Sequence, residues 1–172
     1  GDTQLLGMVI EKATGKTLTD NLSTHFWQPL GAEHPAYWQL DSQDSGLEKA
    51  YCCLASNALD FARFGKLYKD QGLWNGERLL DSAFVAKSTQ PRFEESPQYG
   101  YGWWLYEWEG RSFFMMRGHL GQYVIVSPQD NVIIVRLGHK KPKSDFPGQF
   151  TTDLLLYIQE GYGLLEQLSQ AQ

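Results

Sequence analysis

The stretch RGHLGQY, Arg117 to Tyr123, sets one histidine and two glycines directly before a run of apolar residues. Imidazole is the side chain that most often moves protons near neutral pH. Glycine lets a ligand or a second backbone approach the main chain, because it carries no side chain. The stretch can therefore do chemistry through the ring of His119 or through the backbone N–H groups around it.

Other recognised catalytic motifs are missing from the 172 residues. No serine is followed by lysine three residues later, and there is no Gly-x-Ser-x-Gly, no His-Glu-x-x-His and no glycine-rich phosphate loop. His25 falls in a predicted helix, and His34 and His139 fall in predicted loops, where surface or capping roles are favoured. The chain alone has no recognisable nucleophile.

Cys52 and Cys53 are neighbours in the sequence. A trans peptide holds adjacent Cα atoms about 3.8 Å apart, closer than the roughly 4.4 to 6.8 Å of ordinary disulfides, so we expect that they do not pair. A catalytic cysteine needs an activating base, and none is evident nearby, so both are interpreted as small packing residues. No Cys or His ligand spacing indicates zinc, and we predict neither a metal nor a cofactor.

The chain carries 15 basic and 20 acidic residues, a net charge of -5, and no basic run. We therefore predict no nucleic-acid partner, since such proteins present clustered positive charge. The longest apolar runs, such as residues 132–135, are far shorter than the roughly 18 residues of a membrane-spanning helix, so no membrane span is expected. An apolar fraction of 42% can build one core, which predicts one domain.

Residues 1–98 are predicted to form mainly helices and loops. Asp2 is interpreted as the cap of a first helix, whose apolar residues share one face and which ends at Gly15. A second helix is expected from about Thr19 to Trp27, before proline and glycine stop it. The polar residues 32–49 then predict a long surface loop.

Cap and turn residues predict the next elements. Ser56 or Asn57 is expected to cap a helix that runs to Gly72, and Ser82 to cap a short one. Between them, the Asn-Gly pair in LWNGERLL indicates a tight turn.

Residues 99–138 follow a pattern of strands joined by short turns. Such turns join antiparallel neighbours, and the continuous apolar character of QYVIVS and VIIVRLG predicts central strands covered on both faces. A closing helix over residues 151–169 carries an apolar stripe that can cover one face of the sheet. This order predicts an α+β fold, an antiparallel sheet flanked by helices.

Five blocks, in order along nearly the whole chain, resemble the C-terminal half of the serine β-lactamase-like hydrolases. This superfamily includes class C β-lactamases, family VIII esterases, DD-peptidases and 6-aminohexanoate-dimer hydrolases, and GHLGQY and WQPLGAE are most similar to the last group. The resemblance implies a partial β-lactamase/transpeptidase-like fold. The blocks are GDTQLLGMVIEKATGKTL, WQPLGAE, AYCCLASNALDFARFGKLYKDQGLWNGERLL, YGYGWW and GHLGQYVIVSPQDNVIIVRLG.

The resemblance implies hydrolysis of an amide or ester bond through an acyl-enzyme. In this family a serine of a Ser-x-x-Lys motif attacks the carbonyl, and a lysine and a tyrosine move its proton. The tyrosine motif precedes the helix that DTQLLGMVIEK resembles, so all three residues are expected upstream of Gly1. We therefore expect a fragment that is inactive alone and holds no catalytic residue of this kind.

The resemblance also implies a substrate edge, the strand that many members mark Lys-Thr-Gly or His-x-Gly, where a backbone N–H holds the oxyanion. If His119-Leu120-Gly121 is the equivalent triplet, Gln122 supplies this N–H. If Met116-Arg117-Gly118 is the equivalent, His119 supplies it, and the match of GHLGQYVIVSP to class C enzymes favours this register slightly. Without the resemblance, both glycines would be interpreted as accommodating a bulge.

Two further residues are implied at the substrate cleft. AYCCLASNALDFARF resembles a class C segment whose tyrosine lines the cleft, which implies this role for Tyr51. Tyr51 can equally be interpreted as covering the helix that starts near Ser56. Arg117 is placed at the cleft as part of the triplet that ends at Gly118.

We expect a bacterial serine hydrolase that acts on a small-molecule amide or ester. The alternative is a non-catalytic binding or regulatory relative, a receptor for peptidoglycan or a small molecule, and a Ser-x-x-Lys motif upstream distinguishes the two. The missing N-terminal half, or self-association, is expected to cover the edge of VIIVRLG. The sequence leaves the cellular location open.

Overall fold

Helices and an antiparallel sheet occupy separate parts of the chain in the computed structural model, which describes residues 1–140 and 150–170. Gly1–Ala86 form a mainly helical unit, and Lys87–Gln172 form a unit with a four-stranded sheet and a long helix. This combination confirms the predicted α+β class. Within the described residues, no helix is long and apolar enough to cross a membrane.

The helices of the first unit begin and end at local capping residues. They are α1 (Asp2–Thr14), α2 (Leu18–Leu22), which a π-helical turn over Ser23–Trp27 continues, α3 (Ala58–Lys69) and α4 (Ser82–Ser88). No side chain caps α1, so the predicted capping role of Asp2 is wrong. Gly15 ends α1 in the left-handed conformation, at φ 68°, as expected. The side chain of Thr17 caps α2 by accepting the N–H of Asp20 at 3.0 Å.

Caps and turns further along follow the sequence closely. Asn57 caps α3, since its side chain accepts the N–H of Asp60 at 3.0 Å. Asp81 caps α4 by accepting the N–H of Phe84 at 2.8 Å, so the prediction that Ser82 is the cap is wrong by one residue. The Asn-Gly pair forms the expected turn, at φ 48° and 87°, between β3 (Leu73–Trp74) and β4 (Glu77–Arg78).

The segment over residues 32–49 holds more structure than the predicted surface loop. Its β1 (Tyr37–Trp38) pairs antiparallel with β2 (Leu54–Ala55). Glu48 is only 8% exposed, and its carboxylate accepts the backbone N–H of Thr19 at 3.0 Å and also the hydroxyl of that residue. The sequence pattern missed these features because strands of two residues are too short to show an alternation.

The sheet of the second unit has the strand order β5-β6-β7-β8, and all its pairings are antiparallel. The strands are β5 (Trp104–Trp108), β6 (Arg111–Arg117), β7 (Tyr123–Ser127) and β8 (Val132–Arg136). β7 is buried throughout, which confirms the prediction of a central strand. β8 is partly buried along its length and lies at the edge among the described residues, which agrees with the expectation that the edge of VIIVRLG needs a cover.

The closing helix α5 (Thr152–Gln170) covers one face of this sheet. Its buried residues join those of the central strands in one cluster, which comprises Phe113, Met115, Tyr123, Ile125, Leu154, Ile158 and Tyr162. Toward the end of the helix, Leu165 and Leu168 are 39% and 65% exposed. The predicted apolar stripe therefore packs along the first part of α5 only.

Candidate functional site

The turn that joins β6 to β7 contains most of the predicted site residues, Gly118, His119, Gly121 and Gln122, with Arg117 at the end of β6. The N–H of Gly118 donates to the carbonyl of Gln122 at 2.8 Å, and the N–H of Gly121 donates to the carbonyl of Gly118 at 3.2 Å. Gly121 has φ 80°, the left-handed conformation that ends a three-residue hairpin turn. The glycine at 121 is therefore required by the backbone of the turn.

The side chain of Gln122 binds the turn from within. Its Oε1 accepts the N–H of Leu120 at 3.1 Å, and its Nε2 donates to the carbonyl of Gly138. A Cβ atom on Gly118 would lie 2.3 Å from this Oε1, so the glutamine side chain would have to move to admit one. Gly118 is therefore a glycine because the amide of Gln122 occupies the adjacent space.

Two backbone N–H groups of the turn, those of His119 and Gln122, have no acceptor among the described residues. They are the two oxyanion donors that the alternative registers predict. The N–H of Gly118 donates to the carbonyl of Gln122 across the hairpin. Because the N–H groups before and after an extended residue point to opposite sides, we expect the N–H of His119 to point away from β7. The carbonyl of Gln122 faces β6, and its N–H points to that same side, inside the hairpin.

Within residues 1–140 and 150–170, no strand pairs with the outer edge of β6 beside His119. β5 begins at Trp104, which lies opposite Met115, so β6 extends past the start of its neighbour. Residues 116–119 consequently have no strand partner on that side among the described residues. An extended ligand can lie against this edge and reach the N–H of His119.

The side chains at this edge differ in how firmly they are held. The ring of His119 is exposed and makes no hydrogen bond or ion pair within the described part of the chain. The guanidinium of Arg117 lies 5.0 Å from the ring centre of Trp104 and 5.6 Å from that of Phe150, within the range of cation–π contacts. No carboxylate among the described residues pairs with it, and its contacts there are with these two aromatic rings.

Tyr51 lies in the first unit, apart in sequence from this turn, and is 59% exposed. The segment that carries it is held by Trp38, whose indole N–H donates to the carbonyls of Lys49 at 2.9 Å and Cys52 at 3.0 Å. Helix α1 adds the amide of Gln4, which accepts the N–H of Ala50 at 3.0 Å. A well-anchored backbone thus presents an exposed tyrosine ring.

The expectation that Cys52 and Cys53 do not pair is wrong. The two residues form a disulfide with Cα atoms 3.7 Å apart, directly after Tyr51. Cys53 adopts φ 75°, a left-handed conformation that is uncommon for residues other than glycine. The usual range of Cα–Cα distances in disulfides excluded this pairing, but that range describes cysteines in ordinary backbone conformations. Cys53 has an unusual one.

A buried carboxylate at Asp60 is a feature that the sequence did not reveal. Its side chain is fully buried and accepts the backbone N–H groups of Glu33 at 3.0 Å and His34 at 3.1 Å. Burial acts to raise the pKa of Asp60, but these bonds, the Asn57 amide and the Arg63 guanidinium outweigh it and hold the pKa below its ordinary value. The bonds tie the chain at residues 33–34 to the start of α3, which indicates a structural role.

Within the described residues, no group of three or more His, Cys, Asp or Glu side chains could hold a metal ion. The predicted site residues that the structure brings together are those of the β6–β7 turn. A model of the Beta-lactamase family matches residues 1–157. The chain belongs to the β-lactamase family. This membership confirms the resemblance to serine β-lactamase-like hydrolases that the sequence blocks carry.

Named relatives of this β-lactamase family chain include 6-aminohexanoate-dimer hydrolases. The enzyme of that name from Paenarthrobacter ureafaciens is 29% identical over 84 residues, which are 49% of this chain and 21% of the relative. A solved structure named "Putative 6-aminohexanoate-dimer hydrolase from Bacillus anthracis" has a TM-score of 0.76 and 25% identity, over 97% of this chain and 42% of that one.

A second solved structure supports the β-lactamase-like fold alone. The "putative beta-lactamase from Bacteroides dorei DSM 17855" has a TM-score of 0.64 at 20% identity, over 90% of this chain and 54% of that one. The predicted partial β-lactamase-like fold is confirmed. This β-lactamase family chain spans roughly a fifth to a half of the length of these relatives.

Proposed function

We propose that the whole protein is a serine hydrolase that cleaves an amide or ester bond through an acyl-enzyme. In this proposal the nucleophile, from a Ser-x-x-Lys motif, and the tyrosine lie outside the 172 residues, which contribute one wall of the active site. The names of the relatives, 6-aminohexanoate-dimer hydrolases, favour a small linear amide as the substrate.

The observation that carries this proposal is the N–H of His119, which has no acceptor among the described residues and lies beside a β6 edge that no described strand pairs. A substrate carbonyl beside this edge can accept that N–H, and the negative charge that develops on its oxygen during attack strengthens the bond. One such donor typically lowers the transition-state free energy by about 2.7 to 4 kcal/mol. The site needs no imidazole chemistry from this chain.

The direction of the two free N–H groups favours the register in which Met116-Arg117-Gly118 is the equivalent triplet. The N–H of Gln122 points into the hairpin, where β6 leaves no room for a substrate. The N–H of His119 points outward, so His119 is the proposed donor. Gly118 and Gly121 then serve the turn, and Gly118 also keeps the approach to the edge free of a side chain.

Arg117 in the second unit and Tyr51 in the first are each proposed, separately, as substrate contacts. The guanidinium of Arg117, without a carboxylate partner in the described chain, suits a polar or anionic group of the substrate. The ring of Tyr51 supplies an exposed apolar surface on a backbone that Trp38 and Gln4 hold in place. Both are proposed to contact the substrate and not to form or break bonds.

The experiment compares the 172-residue chain with the protein expressed from its complete gene. We expect the complete protein to hydrolyse nitrocefin, p-nitrophenyl esters or a linear amide, and the 172 residues alone to show no turnover. Turnover by the clean 172-residue chain would overturn the placement of the nucleophile. A complete gene without Ser-x-x-Lys, and a protein that binds without turnover, would favour the binding relative.

A further inference from the structure

We propose that Arg136 and Gln122 are positioning residues that hold the N–H of His119 in place for the oxyanion. This inference rests on the proposed function. Arg136 is the last residue of β8 and lies opposite Tyr123, the first residue of β7, in the strand register. It is one strand away from the proposed oxyanion donor and does not touch a substrate at that edge.

The guanidinium of Arg136 binds the turn at its carbonyls. Nη1 donates to the carbonyls of Leu120 at 3.2 Å and of Gly121, and Nη2 donates to the carbonyl of Lys140 at 2.9 Å. The guanidinium also lies 5.4 Å from the ring centre of Tyr157 on α5. One rigid, planar group thus joins the turn, the end of β8 and the closing helix.

The side chain of Gln122 accepts the N–H of Leu120 in the same turn. Its Nε2 donates to the carbonyl of Gly138, so the side chain links the turn to the segment after β8. Together the two side chains bind three backbone groups of the turn: the N–H of Leu120 and the carbonyls of Leu120 and Gly121. The peptide groups of Leu120 and Gly121, which follow His119, are therefore held in place. The N–H of His119 is left unpaired and outside the hairpin.

Two glycines make room for these two side chains. A Cβ on Gly118 would lie 2.3 Å from Oε1 of Gln122, and a Cβ on Gly138 would lie 2.5 Å from Cζ of Arg136. Neither glycine has the positive φ that would otherwise explain it. Gly118 and Gly138 therefore leave free the space in which the side chains of Gln122 and Arg136 reach the turn.

The test is steady-state kinetics of the complete protein on a p-nitrophenyl ester, with Arg136→Ala and Gln122→Met. A displacement of about 1 Å in a catalytic group can cost on the order of 100-fold in rate, so we expect kcat to fall about 10- to 100-fold in each variant, with KM within about twofold. The double variant should lose less than the product of the two losses, because both side chains act on one turn.

Arg111→Ala is the matched control. Arg111 also lies over a tyrosine of α5, 4.8 Å from the ring centre of Tyr162, and it pairs with Asp130, but it lies at the other end of β6. We expect its kcat to stay within about twofold of the wild type, even if its thermal unfolding temperature falls as far as that of Arg136→Ala. Amide exchange at Leu120 should become faster in Arg136→Ala and stay unchanged in Arg111→Ala.

Three results overturn the inference in distinguishable ways. Unchanged kcat in Arg136→Ala, in an active protein, overturns the positioning role and leaves the hydrolase proposal intact. Equal loss of kcat in Arg111→Ala assigns the effect to general stability. No turnover by the wild-type protein on esters, nitrocefin or linear amides overturns the proposed function and this inference with it.

Discussion

His119 carries two groups that can act, a ring and a backbone N–H, and the hairpin holds only the second. The ring is exposed and makes no polar contact in the described chain, whereas the peptide groups around the N–H are fixed by side chains and turn bonds. Sequence reasoning identified both glycines and both candidate donors. It could not assign different reasons to Gly118 and Gly121, because the space that Gln122 fills and the φ of a turn are properties of the folded backbone.

Replacing Asp60 should reveal how much its buried network stabilises the first unit. Asp60→Asn removes the negative charge that pairs with Arg63 and accepts the N–H groups of Glu33 and His34. Removing one partner of a buried ion pair costs about 3 to 5 kcal/mol of unfolding free energy. Urea denaturation at pH 7 measures the loss. Asp44→Asn, at an exposed aspartate of the same unit, is the control and should change the unfolding free energy by less than about 0.5 kcal/mol.

The pH dependence of the same comparison follows from the lowered pKa of Asp60. The folded-state pKa lies below the ordinary value of 3.8, so the carboxylate stabilises the fold fully above that pH. The stabilisation is lost as the pH falls through the lower, folded-state pKa. The difference in unfolding free energy between wild type and Asp60→Asn should therefore be constant from about pH 6 to 8 and shrink below pH 3.8. A difference that grows on acidification would contradict the assignment.

At the scale of elements, local sequence patterns predict the hairpin of β6 and β7 and the helix α5. They do not predict which strands pair with one another or which strand lies at the edge of the sheet. Alternation, turn residues and a helical apolar stripe predicted these elements. The two-residue pairing of β1 with β2, and the edge position of β8, depend on contacts between distant segments that no short window contains. The disulfide between Cys52 and Cys53 was missed for a different, local reason, since it accompanies the left-handed conformation of Cys53, which residue types alone do not reveal.

The contact between α5 and the turn after β7 gives an element-scale prediction. The hydroxyl of Tyr162 donates to Asp130 at 2.5 Å, and this bond is the main reason that the pKa of Asp130 is lowered. Burial, followed by this bond, raises the pKa of Tyr162. We expect Tyr162→Phe to cost about 1.5 to 3 kcal/mol of unfolding free energy, as for hydrogen bonds to charged groups.

Tyr157→Phe is the matched control on α5, because the Tyr157 hydroxyl has no hydrogen bond within the described residues, and it should cost less than about 0.5 kcal/mol. A double-mutant cycle with Asp130→Asn isolates the pair. A coupling free energy near zero would show that the bond contributes nothing to the docking of α5.

At the scale of the whole molecule, several apolar surfaces have no cover within the described chain. On α1, Leu5, Leu6 and Val9 are 63%, 59% and 54% exposed, although the sequence predicts them on one face. The edge of β8 has no partner strand among the described residues. We propose that other residues of the whole protein, or a second copy of the chain, cover the β8 edge, since open edges invite pairing.

Light scattering and intact mass of the 172-residue chain test this proposal. We expect a mass in solution above the 19.6 kDa of one chain, because self-association is the remaining way to pair the edge when no other residues are present. Val135→Lys, in β8 and on the face opposite to Ile134, which packs against the α5 cluster, should lower this association. A monodisperse monomer of the unmodified chain would contradict the proposal.

The central claim is that the backbone N–H of His119 holds the oxyanion, and His119→Pro in the complete protein tests it most directly. Proline removes this N–H but suits the first central position of the turn, where its φ is favoured. His119→Ala removes only the ring and is the matched control. We predict that kcat of His119→Ala stays within about tenfold of the wild type, while that of His119→Pro falls about 100- to 1,000-fold. A kcat of His119→Pro within about tenfold of the wild type would contradict the assignment of this donor. A loss in His119→Ala as large as that in His119→Pro would return the imidazole to the chemistry.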